Sequence, residues 1–125
     1  MKDKLILFDT AKLAKEKGFD WKVLKAYDGV PICSHSESIF KPLNYNSTTS
    51  GNYHSAPTQS LLQKWLREEH NIHIGIDYGE LCKKYMLYIH FVNNEIESDF
   101  ECIYKTYEEA LELGLQEALK SIHAE

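Results

Sequence analysis

The chain has 125 residues, 43% of them hydrophobic and 26% charged, with a formal net charge of −5. That length is one domain's worth and can bury roughly 65% of the surface its unfolded form exposes, so folding needs neither a disulfide nor a metal. The acidic balance weighs against phosphate backbones and anionic membranes as partners, because both repel a net negative surface.

Residues 5–8 are an apolar lead-in, too short for a signal-peptide core or a membrane span. Asp9 or Thr10 can cap a first helix over 11–17, closed by Gly18, with Phe19 folding back onto it. Residues 21–27 read as a strand, and Asp28-Gly29 then turns the chain into a second strand at 30–32, an N-terminal hairpin. Residues 33–56 lose all periodicity. Ser, Asn, Thr and Gly dominate there, and a loop of that length in a compact domain is usually functional or disordered. It also carries His35, Phe40, Tyr45, Tyr53 and His54. Such rings can stack and donate hydrogen bonds, so these five are the candidate binding residues.

The second half is more regular. Pro57 blocks a helix from upstream and Thr58 is a good N-cap for a helix running to His70. Leu61, Leu62, Trp65 and Leu66 form its apolar stripe, with Ser60, Gln63, Lys64 and Arg67 on the wet face. The period then changes from helical to alternating. Ile72, Ile74, Ile76 and Tyr78 alternate with His73, Gly75 and Asp77, a half-buried strand. Gly79-Glu80 turns into residues 85–92, apolar on both faces and so a central strand. After Asn93-Asn94 a third strand over 97–104 puts Phe100, Cys102 and Tyr104 on one face. Thr106 with Glu109 three residues on fits a capping box for the last helix. Tyr107, Ala110, Leu111, Gly114, Leu115, Ala118, Leu119 and Ile122 make its buried face, and Glu108, Glu109 and Glu112 suit the helix dipole. Gly114 on that face implies close approach of another backbone. The expected architecture is a single α+β domain over 1–125. It has a three-stranded antiparallel meander, an N-terminal hairpin, and helices packed on one face as a two-layer sandwich.

Cys33, Cys82 and Cys102 are odd in number and widely spaced, which reads as reduced thiols in a cytoplasmic protein. Cys33-x-His35 and His70-x-x-His73 have spacings a metal could use, but neither is joined by a second pair. His70 reads as a positive group closing a helix, and His73 points away from the isoleucines, so neither metal nor cofactor is expected. A nucleophilic thiol needs an electropositive, half-exposed place. Cys82 beside Lys83-Lys84 reads as a turn thiol and Cys102 as a small core residue, so no catalytic residue is assigned. A phosphate-cradling glycine loop, a zinc-protease helix and a serine elbow are all missing from the sequence.

The helix–sheet–helix order is also that of double-stranded-RNA-binding domains, which meet phosphate with a lysine-rich start of the last helix. Here that start reads Thr106-Tyr107-Glu108-Glu109, which would repel phosphate, so the likeness is one of topology. A closer likeness lies in Ala56-Pro57-Thr58-Gln59-Ser60-Leu61-Leu62-Gln63-Lys64-Trp65-Leu66-Arg67-Glu68, followed by His70-Asn71-Ile72. This stretch resembles a group of small proteins of bacterial prophages and mobile elements. Thr106 to Glu112, Gly114-Leu115, Glu117-Ala118-Leu119 and the opening Thr10 to Ala14 fit the same group. These are packing and capping motifs, so the resemblance implies no catalytic residue. The expected function is non-catalytic binding of a protein partner, with a homo-oligomer as one form of it. Two other classes stay open. A small hydrolase or transferase would use Cys33 with His35 or His54 in the 33–56 loop. A nucleic-acid-binding accessory would need Lys12, Lys15, Lys17, Lys22 and Lys25 on one basic face.

Overall fold

Local capping rules account for most element boundaries. The computed structural model describes residues 4–27, 35–37, 44–47, 53–91, 96–99 and 104–122. The elements are α1 (Phe8–Glu16), β1 (Lys25–Tyr27), β2 (His35–Glu37), β3 (His54–Ser55), α2 (Gln59–His70), β4 (Ile72–Gly79), β5 (Lys84–Phe91), β6 (Ile96–Asp99) and α3 (Tyr107–Lys120). A single 3₁₀ turn covers Tyr45–Ser47. The chain is therefore α+β, with three helices and two small antiparallel sheets among the described residues.

Both C-terminal helices begin where a threonine can cap them. Thr58 Oγ1 accepts from the Leu61 N–H at 3.3 Å, and Thr106 Oγ1 from the Glu109 N–H at 3.1 Å. Each such bond satisfies an orphan donor and contributes about 1 kcal/mol. α2 stops at Asn71, which takes the left-handed conformation (φ 55°) and returns its N–H to Leu66 O. α1 departs from expectation. It starts at Phe8, and neither Asp9 nor Thr10 caps it; Leu7 holds the N-cap position without a side-chain bond. Thr10 is fully buried, and its hydroxyl is drawn to Glu112 instead. The C-terminal end follows expectation. Gly18 has φ 91°, the Gly18 N–H reaches Lys15 O, and the Phe19 N–H reaches Ala14 O at 2.9 Å. That pair of bonds is a Schellman cap, and it turns Phe19 into the core.

The N-terminal sheet has the order β2-β1-β3, with Tyr27 opposite both His35 and His54. The expected strand over 21–27 is thus shortened to Lys25–Tyr27, because Phe19, Trp21 and Val23 face the core. The expected partner strand at 30–32 lies outside the described residues. The C-terminal sheet has the order β4-β5-β6, and all eight residues of β4 pair with β5, from Ile72↔Phe91 to Gly79↔Lys84. β6 covers less than the expected 97–104. Phe100 and Cys102 lie outside the described residues, and Tyr104 returns as an isolated bridge to Tyr85.

The core forms where α2 and α3 lie on β4 and β5. Leu62, Trp65 and Leu66 of α2 and Leu111, Leu115 and Leu119 of α3 share one buried cluster with Ile72, Ile74, Leu87 and Ile89; α2 packs on α3 and β4, and α3 on both β4 and β5. Burying each such side chain contributes roughly 1.5–3 kcal/mol. Gly114 explains how close α3 comes. A Cβ there would stand 2.6 Å from Leu87 Cδ1 and 3.0 Å from Ile74 Cγ2.

Glu112, read as a negative charge suited to the helix dipole, is only 8% exposed. The N-terminal segment covers it, a tertiary effect that helical period alone does not carry. Cys82, expected as a reduced thiol, is disulfide-bonded. Spacing along the chain says nothing about which sulfurs meet in space, so the cysteine argument for a cytoplasmic protein falls away. Among the described residues no helix is long and apolar enough to cross a membrane.

Candidate functional site

In the 33–56 loop, Tyr45, Ser55 and Ala56 are buried. Tyr45 is buried with its ring 6.2 Å from that of Tyr53, and His54 sits 5.4 Å from Phe8, which also meets Tyr27 at 5.5 Å. Asn46 fastens the segment: its Nδ2 donates to Phe19 O at 2.9 Å, and its Oδ1 accepts from the Ser55 N–H at 2.8 Å. His35 lies in β2 across from Tyr27. Phe40 and Cys33 lie outside the described residues. Two of the five lysines considered for a basic face are committed elsewhere. Lys15 Nζ donates to Tyr53 O at 2.7 Å and Lys17 Nζ to Ile122 O at 2.6 Å.

The densest polar chemistry is at Glu112. Its Oε2 accepts from the Leu7 N–H at 3.0 Å and from the Thr10 hydroxyl, and its Oε1 accepts from Gln59 Nε2 at 2.9 Å. Gln59 also donates to Glu108 O, and Gln116 Nε2 donates to Thr10 Oγ1, both at 2.9 Å. One carboxyl thus ties α1, α2 and α3 together. A cleft of about 530 Å³ opens beside it between Lys4, Leu7, Tyr104 and the first half of α3. Three donors from the protein itself engage the carboxyl oxygens, so this group locks the helices together. Tyr104 on the cleft wall has its pKa raised, first by burial and then by Glu117 and Glu109, so its hydroxyl stays protonated there.

The histidines go to separate surfaces. His70 packs on Trp65 with ring centres 4.7 Å apart. Burial there lowers its pKa, with Glu69 acting in the opposite sense. It therefore closes α2 as a packed ring more than as the positive end-group expected. His73 stands on the face of the sheet opposite the isoleucines, as expected, 6.4 Å from His90. Among the described residues no three metal-ligating side chains come together.

The outstanding surface feature lies at the far end of the β4–β5 hairpin. Register places Tyr78 across from Tyr85, with ring centres 5.2 Å apart and edge to face. Tyr107, the first residue of α3, adds a third ring 6.2 Å from Tyr85. These tyrosines continue the face that carries Ile74, Ile76 and Leu87, but here the helices no longer cover it. Tyr78 is 52% and Tyr107 43% exposed, and Leu81 at the hairpin tip is fully exposed. Beside them Tyr85, Lys105, Thr106, Tyr107 and Glu108 line a cleft of about 520 Å³. The sequence counted Tyr107 in the buried face of the last helix. The signal that could have found this row was the pair of tyrosines flanking the Gly79 turn at mirrored positions, followed by an aromatic residue immediately after a helix cap. Comparison with family models, curated proteins and solved structures finds no match.

Proposed function

We propose that this protein acts without catalysis, as a protein-binding module of the prophage and mobile-element kind its sequence resembles, and that the tyrosine row is its contact surface. The observation that carries the reading is the contiguity of Tyr78, Tyr85 and Tyr107 at the end of a hairpin whose turn carries the fully exposed Leu81. Contiguous exposed apolar surface marks an interaction site, whereas scattered single residues do not. Tyrosine suits the task, because a large ring with two rotatable side-chain bonds loses little entropy on contact and its hydroxyl is satisfied by water or by a partner. The supporting hairpin is well held: its strands pair along their full length, and Lys83 turns it with φ 57°. The proposal takes the C-terminal half as a three-stranded meander with helices on one face, a two-layer sandwich whose helix layer ends at the tyrosines.

The test is site-specific photo-crosslinking in bacterial cells. A crosslinking phenylalanine analogue replaces Tyr78, Leu81 or Tyr107 in turn, and Arg67 on the exposed side of α2 serves as control. The expected result is one discrete protein adduct from the three hairpin-end positions and none from Arg67, abolished by Tyr85→Ser. Adducts that form equally from Arg67, or none from any position, would overturn the assignment.

A further inference from the structure

We infer that a cleft at the open end of the N-terminal sheet binds a small amphipathic anion, an unbranched alkyl carboxylate, with Leu5, Leu24 and Leu61 against the alkyl chain and Lys22 and Lys25 at the carboxylate. The backbone makes the opening. β3 keeps to β1 as far as the Ala56 N–H, which donates to Lys25 O at 2.9 Å. The next residue is Pro57, which has no N–H to continue that ladder. Its carbonyl accepts from the Ile6 N–H at 3.1 Å instead, and Thr58 bridges to Leu5. The segments part there and leave a cleft of about 310 Å³, walled by Leu5, Val23, Leu24, Ala56 and Leu61.

Size and lining select the ligand. Small-molecule sites span roughly 300–1,000 Å³ and are apolar with a few placed polar groups. This cleft stands at the low end of that range, with room for one short chain and too little for several side chains of a peptide. Leu24 is 52% exposed, and Leu5 and Leu61 are half-buried, so the fold leaves apolar surface uncovered around it. The charge is one-sided. Lys22 and Lys25 belong to the lining and no carboxylate does, in a chain whose net charge is −5. Neither ammonium has an ion-pair or hydrogen-bond partner among the described residues. Glu37 holds the position across from Lys25 on β2, so Lys22, which has no strand neighbour opposite it, carries more of the attraction. Charges of one sign at the mouth of an apolar cleft raise the local concentration of the opposite sign, so an anion with an apolar tail is favoured and a cation of the same shape is not. The cleft shares no residue with the tyrosine row.

Isotope-labelled full-length protein is titrated with octanoate, and separately with octylammonium, at neutral pH and low salt, and the backbone amide resonances are followed. Octanoate should move the amides of Leu24, Ala56 and Leu61 saturably, with a Kd on the order of 1 mM, the range expected of so small a ligand. Octylammonium should bind roughly tenfold more weakly or not at all. Lys22→Gln should weaken octanoate binding about fivefold, Lys25→Gln by a smaller factor, and the double variant by roughly tenfold or more. Leu24→Asp, a change at an exposed position, should abolish it. Lys120→Gln should leave the affinity unchanged, and circular dichroism checks that each variant is folded. No saturable shift at these amides, octylammonium binding as tightly as octanoate, or wild-type affinity in the double lysine variant would overturn the site. An acidic heptapeptide with a central leucine that binds more tightly than octanoate through the same amides would overturn the small-ligand assignment in favour of a peptide partner.

Discussion

At the scale of single residues, Glu112 matters most to stability. It accepts three hydrogen bonds from α1, α2 and the chain leading into α1, and removing it takes that acceptor from the buried Thr10 hydroxyl and the Leu7 N–H and leaves Gln59 with Glu108 O alone. Glu112→Ala should cost about 2–4 kcal/mol in urea unfolding, and Glu112→Gln should recover part of that by keeping one acceptor oxygen. Wild-type stability in both variants would mean that the carboxyl does not join the helices. Ser55 is the converse case. Its hydroxyl is buried and has no hydrogen-bond partner among the described residues. Deleting an unpartnered polar group removes a desolvation cost, so Ser55→Ala should leave stability within about 0.5 kcal/mol of wild type or raise it. His70 adds a pH dependence. Its folded-state pKa is lowered by burial, so the unfolded chain takes up that proton more readily. Its contribution is complete above the unfolded imidazole value and is lost as pH falls through it. Between about pH 7 and pH 5, His70→Gln should therefore lose less stability than wild type. Parallel losses in a pH series of urea melts would show that burial of this ring is not felt.

At the scale of elements, α3 joins the strongest sequence signals to the tightest packing. Thr106→Ala removes the bond to the Glu109 N–H and should cost about 1 kcal/mol. Gly114→Val meets Leu87 and Ile74 at distances that force repacking, and should cost about 1–3 kcal/mol or more. Urea melts that leave both variants at wild-type stability would remove α3 from the core. These features were legible because caps, glycine exits and helical stripes are written within a few residues of one another: Thr58, Thr106, Gly18 and the alternating isoleucines of β4 all stand where the chain chemistry put them. What stayed hidden depends on contacts between distant segments. The length of β1, the burial of Glu112 and the disulfide at Cys82 are settled by what packs alongside. The tyrosine row and the His73–His90 pair need the β4–β5 register, which the sequence pattern leaves open to within a few residues. Tyr107 was misplaced because a helix's first turn can overhang the sheet it covers.

At the scale of the molecule, the N-terminal half holds little apolar surface that it buries by itself. β1, β2 and β3 are two or three residues long, and a sheet of that size has little independent stability. Its anchors run to the other half. Thr10 and the Leu7 N–H bond to Glu112, Lys17 bonds to Ile122 O, and the Ile6 and Gln59 N–H groups pair with Pro57 O and Lys4 O. Phe19 links the halves through aromatic contact, 6.5 Å from Trp21 and 5.3 Å from Trp65. The two halves should therefore unfold in one transition. The two tryptophans allow a direct test, since Trp21 precedes β1 and Trp65 lies in α2. Fluorescence-monitored urea melts of Trp21→Phe and Trp65→Phe each follow one half, and circular dichroism follows the whole. Within each variant the fluorescence and dichroism midpoints should coincide. Adding Glu112→Ala should move both probes together if the anchoring network couples the halves. A fluorescence transition for Trp21 that precedes loss of helix, in either background, would show that the first half melts from a folded helix–sheet core and that its contacts with α3 are peripheral.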